Sequence, residues 1–166
     1  MTKRSAGILV YRRRNKIIEI LLGHPGGPYW AKKDASAWSV PKGEVEEHEG
    51  LLMAARREFA EELGQPAPEG KYIELGSTKI SSGKEIFVWA IEDDLDVSRI
   101  VSNMVTIEWP PRSGKQIEIP ELDRAVWVSL EAASTKLHKG QAVFVQRLAE
   151  KLGEMLETPP EQQSLL

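Results

Sequence analysis

The chain contains no cysteine. Disulfides, thiolate metal centres and thiol nucleophiles are therefore excluded, a usage that fits a cytoplasmic protein. No charge sign dominates. Lys and Arg number 22 against 25 Asp and Glu, a net charge of -3, so no overall field draws the chain toward nucleic acid or an anionic membrane. Long apolar runs are missing too. The first one, within MTKRSAGILVYRRR, is cut off by Arg12, Arg13 and Arg14, too soon for a membrane span or a signal sequence. The three histidines, His24, His48 and His138, lack metal-ligand spacing and read as incidental. Internal repeats are absent. Residues 1–155 read as one domain with ample length for a core, and 156–166, with its prolines and glutamines, as a mobile tail.

What the chain does have is concentrated between Gly43 and Gly64, in GEVEEHEGLLMAARREFAEELG. Leu52, Ala55, Phe59 and Leu63 recur at spacings of three and four, which predicts a helix with one buried face. Glu58, Glu61 and Glu62 share a neighbouring stripe. Like charges at that spacing weaken a helix by roughly 0.2–0.5 kcal/mol per pair. A solvated acidic face is one reading of them. The other is a cluster neutralised by a cation, and oxygen-only ligands of this charge suit Mg²⁺ or Mn²⁺.

The order of the remaining residues separates these readings. Gly43 is followed after five residues by Glu49, after seven more by Arg57-Glu58, then by Phe59, Glu61-Glu62 and Gly64. This pattern resembles the signature of the Nudix hydrolases, which cleave a nucleoside diphosphate linked to another group. Every Gly, Glu and Arg of the signature is matched; the one departure is Gln65, where an aliphatic residue is expected. The resemblance implies an α/β fold, a mixed sheet sandwiched between helices, with the signature forming loop-helix-loop at the sheet's open end. It further implies Mg²⁺ (or Mn²⁺) held by Glu58, Glu61, Glu62 and backbone carbonyls near Gly43. Water attacks phosphorus, with Glu61 or Glu121 as the base. Glu121 stands six positions before Trp127, where several Nudix enzymes carry a further acidic residue; Glu118 competes for the role. Arg57 orients the carboxylates, and Glu49 pairs with Arg57 or bonds the helix start.

Substrate contacts are read from the residues before the signature. Lys42 is the cation best placed to meet a phosphate. Trp38, two residues, then Pro41-Lys42-Gly43 is similar to the Nudix branch acting on dinucleoside polyphosphates and diphosphoinositol phosphates. The irregular segment Gly23 to Ala37 carries Tyr29, Trp30, Lys32 and Lys33. These stack a base and hold phosphates, or else Trp30 pins the loop to the core. The favoured substrate is diadenosine tetraphosphate, split into ATP and AMP. Oxidised nucleoside triphosphates, nucleotide sugars and RNA 5′ ends are the alternatives. A non-catalytic nucleotide-binding module is a different class, and the complete set of glutamates counts against it. The expected partner is a small nucleotide, with no membrane, nucleic acid disfavoured, and a monomer or homodimer.

Elsewhere Ser5 to Tyr11, Ile17 to Leu22, Tyr72 to Ile80, Glu85 to Ile91, Thr106 to Trp109 and Val126 to Val128 read as strands. Arg12 to Lys16 reads as a polar turn, Glu92 to Asp96 as a solvated acidic loop, and Glu131 to Leu137 and Gln141 to Leu152 as helices.

Overall fold

Alternation in the first apolar run builds the centre of the molecule. In the computed structural model, which describes residues 3–153, that run is strand β1, Arg4–Arg14. Ala6, Ile8 and Val10 enter one core while Leu9 and Tyr11 enter the other. Burial on both faces marks a central strand. Strand β2, Ile17–Pro25, returns beside it. The turn is only Asn15-Lys16, with φ of 51° and 66°, the left-handed pair that suits a two-residue hairpin. The three arginines expected in the turn therefore belong to β1, and Arg14 pairs with Ile17.

The chain continues through β3 (Lys42–Glu44), α1 (Leu51–Leu63), β4 (Ile73–Lys79) and β5 (Glu85–Glu92). Next come β6 (Met104–Glu108), β7 (Gln116–Pro120), β8 (Leu122–Ser129), α2 (Leu130–Lys136) and α3 (Val143–Leu152). The main sheet runs β4-β5-β1-β2-β8, with β3 also on β1. β1 is parallel to β5 and antiparallel to β2 and β3, so the sheet is mixed. β6 and β7 form a separate two-stranded ribbon.

Helices cover both faces. On one, Ala54, Ala55, Phe59 and Leu63 of α1 pack on Ala6, Ile8, Val10 and Leu21. Ala54 completes this stripe and Leu52 is only half-buried. Phe59 is fully buried, so truncating it to alanine costs about 3–5 kcal/mol. On the other face, Phe144, Val145 and Leu148 of α3 and Ala133 of α2 meet Leu9, Ile20 and Leu22. Gly64 ends α1 at φ 68°, its N–H returning to the Ala60 carbonyl, the left-handed stop that glycine favours. The expected sandwich is thus present. Three elements differ: β3 and β7 were not anticipated, and β8 begins at Leu122 rather than Val126. The tail expected over 156–166 lies outside the described residues.

Candidate active site

β3 and α1 bring the signature's two halves together. β3 is short because its residues are chosen for approach, not for apolar pairing. A Cβ on Gly43 would collide with the Glu58 carboxyl group, so only a bare backbone lets Glu58 lie there. The result is a cleft of about 440 Å³. Glu58 and Glu62 of α1 line it with Lys42 and Gly43 of β3, Glu121 from the β7–β8 junction, and Lys84 from the β4–β5 turn.

Electrostatics set the carboxylates apart. Glu62 is 7% exposed, and its hydrogen-bond donor is the Lys42 amide at 3.2 Å. Burial pushes its carboxyl up to about 8; the Lys42 charge opposes this, and Glu121 and Glu58 reinforce it. Burial also raises Glu58, against the pull of Arg57. Arg57 organises the rest. It grips Glu49 with two bonds, at 2.8 and 2.9 Å, and donates to Glu58 at 2.8 Å and the Glu44 carbonyl at 3.0 Å. This fork holds Glu49 down at about 2 and raises Arg57 above its usual range. Glu61 takes a weaker share, at 3.3 and 3.5 Å. It does not line the cleft; its side chain is 46% exposed on the outer margin.

Among the described residues, no three His, Cys, Asp or Glu side chains form a ready ligand set. The donor chemistry nonetheless fits a hard divalent cation. Glu58, Glu62 and Glu121 offer only oxygen to one cleft. Negative charge on buried Glu62 has a single amide donor to meet it, and a cation would supply the balance.

Several expected substrate contacts lie elsewhere. Trp38 is 3% exposed and belongs to the core. Its Nε1 donates to Asp34 at 2.8 Å and its ring meets His24 edge-on at 4.9 Å. A ring so enclosed has no face to offer a nucleobase. Trp30 packs against the same core. Lys33 turns its ammonium over the Tyr29 ring at 3.5 Å. Neither of them, nor Lys32, lines the cleft. Of the expected substrate residues, only Lys42 is brought to the carboxylates. Glu118 is exposed on β7 and also stands outside the cleft.

Lys84 and His24 carry roles that the sequence reading did not give them. Lys84 sits in a polar turn, where a lysine carries no local signal. His24 is fully buried, Nδ1 facing the Asp123 carboxylate at 3.0 Å and Nε2 the Lys33 carbonyl at 2.6 Å. It ties the 26–37 loop to β8 and is not incidental. Arg12 and Arg14 bond Asp94 at 2.8 and 2.9 Å, so the hairpin arginines and the acidic loop neutralise each other.

The family described as NUDIX domain matches residues 1–148. No curated protein sequence matches. Among solved structures, an Ap4A hydrolase binary complex from C. elegans is similar, with TM-score 0.62 and 20% identity over 92% of this chain and 98% of that one. A MutT protein from Methanosarcina mazei Go1 gives 0.61 and 19%, covering 92% and 96%. The NUDIX domain of Shewanella oneidensis NrtR with ADP ribose gives 0.60 and 13%, covering 92% and 89%.

Proposed function

From the premise that the chain belongs to the Nudix hydrolase family, we propose that it cleaves a phosphoanhydride of a dinucleoside polyphosphate, splitting diadenosine tetraphosphate into ATP and AMP. The observation that carries this is the make-up of the cleft: four carboxylates, Glu44, Glu58, Glu62 and Glu121, and two lysines, Lys42 and Lys84, line one space, with Lys84 3.6 Å from Glu44. A long polyphosphate needs cations along its length, and the lysines provide fixed ones. The order Trp38, Pro41, Lys42, Gly43 adds the resemblance to the dinucleoside polyphosphate branch, although Trp38 itself acts from within the core.

Glu58, Glu62 and the Gly43 backbone would hold Mg²⁺ or Mn²⁺, and Glu61, exposed and loosely bonded, can turn in as a further ligand. Such a cation, when bound, neutralises polyphosphate charge and makes water more acidic. Glu121, which lines the cleft without belonging to the Arg57 network, takes the proton of the attacking water. Arg57 holds Glu49 and Glu58 in place. Lys42 and Lys84 align the phosphates.

Incubation with diadenosine tetraphosphate and Mg²⁺, followed by separation of nucleotides, tests the reading. ATP and AMP in equal amounts are expected. Two ADP would overturn the asymmetric cut. Intact substrate, with turnover of nucleoside triphosphates or nucleotide sugars instead, would overturn the substrate class.

A further inference from the structure

The segment between β5 and β6 carries one side chain that touches both the Glu121 carboxylate and the backbone of Glu61. Asn103 has its amide nitrogen 2.7 Å from Glu121 Oε2 and 3.2 Å from the Glu61 backbone carbonyl. Both neighbours are acceptors, which assigns the nitrogen, not the oxygen, to that side. The backbone repeats the link. Asn103 N–H donates to the Glu61 carbonyl at 3.1 Å, and Glu121 N–H donates to the Asn103 carbonyl at 2.9 Å. Ser102 adds a brace, its Oγ accepting from Leu122 N–H at 2.9 Å.

We infer that Asn103 is a positioning residue for Glu121, fixing its carboxylate toward the cleft from the last turn of α1. The inference rests on the role proposed above for Glu121. A glutamate at a strand junction has three rotatable bonds and many orientations. The amide fixes one oxygen and leaves the other for water. The choice of asparagine matters. An arginine or lysine there would neutralise the carboxylate and weaken it as a proton acceptor. A neutral amide orients it and leaves its charge in the cleft. Removing a partner of this kind typically costs 10–100-fold.

The test is a double-mutant cycle with an NMR arm. Asn103→Ala is expected to lower kcat by about 10-fold or more, with KM changed far less. In the Glu121→Gln background the same change is expected to add almost nothing. Asn103→Asp keeps size and backbone bonds but loses the donor, so it should lose at least as much, which keeps the test alive should Ala fold poorly. Kinetics use whichever nucleotide the wild type hydrolyses, so a wrong substrate does not sink the cycle. In metal-free protein, the Asn103 side-chain amide proton is expected downfield, moving upfield in Glu121→Gln. That arm reads the contact even if no substrate is turned over. Equal kcat losses in both backgrounds, full activity of Asn103→Asp, or an amide signal indifferent to Glu121→Gln would each overturn the inference.

Discussion

Glu62→Gln should make the metal-free protein more stable at pH 8 while weakening its response to a divalent cation. Glu62 is 7% exposed and its carboxyl rises from 4.5 to about 8. Below pH 4.5 it is protonated in both folded and unfolded chains and contributes nothing to the pH dependence. Between 4.5 and about 8 the unfolded chain has released the proton and the folded one retains it, so stability falls by about 1.4 kcal/mol per pH unit. The loss levels off above that window, with a ceiling of about 5 kcal/mol. Glutamine keeps the volume and an oxygen for the Lys42 amide, so it recovers much of this. A gain of about 2 kcal/mol corresponds to about 4–8 °C in Tm for a chain of this size. Thermal melts in chelator at pH 4 and pH 8, then with excess Mg²⁺, provide the assay. The variant should match the wild type at pH 4, exceed it at pH 8, and gain less from Mg²⁺. A natively folded Glu62→Gln protein no more stable than wild type in chelator at pH 8 would refute the electrostatic account of this carboxylate.

Three further outcomes are expected. Glu121→Gln should lower kcat by about 10²-fold or more, with an unchanged far-UV circular dichroism spectrum showing that the fold persists. Gly43→Ala should push the Glu58 carboxyl from its seat, weakening cation binding in calorimetry as well as turnover. Arg57→Ala should raise the midpoint of acid unfolding followed by circular dichroism. Glu49 is held at about 2 by Arg57, so its contribution is present above pH 4.5 and lost only as pH falls toward about 2. Without Arg57 that protection disappears.

Helix α1 was legible because its period and its carboxylates sit within a single turn-by-turn pattern. β1 was legible from its unbroken apolar run. β3 was not, because Lys42-Gly43-Glu44 has no strand-like residue, and only pairing with Ser5 to Gly7 makes it one. β7 was missed despite the alternation of Ile117 and Ile119; its partner β6 supplies what so short a segment lacks. In the site, the α1 carboxylates were legible because they lie in the signature, and Lys42 because it directly precedes it. Lys84, His24 and Asn103 act on residues far along the chain, and nothing beside them in sequence reports those partners. Trp38 was misplaced for a related reason: a tryptophan before a signature looks the same whether its ring faces solvent or core.

The N-terminal end of β1 has a practical consequence. Gly7 pairs with Lys42 on one edge, and Arg4 pairs with Glu85, next to Lys84, on the other. Four residues of one strand thus act as the spacer between the two cleft lysines, which it holds on opposite edges. Lys3 and Arg4 also accept bonds from Glu85 and Val45 at 3.0 and 2.9 Å. An affinity tag fused directly ahead of this strand would tug on both lysines at once, and on Glu44, which pairs with Ser5. Weak activity in such a preparation would then reflect the tag and not the enzyme.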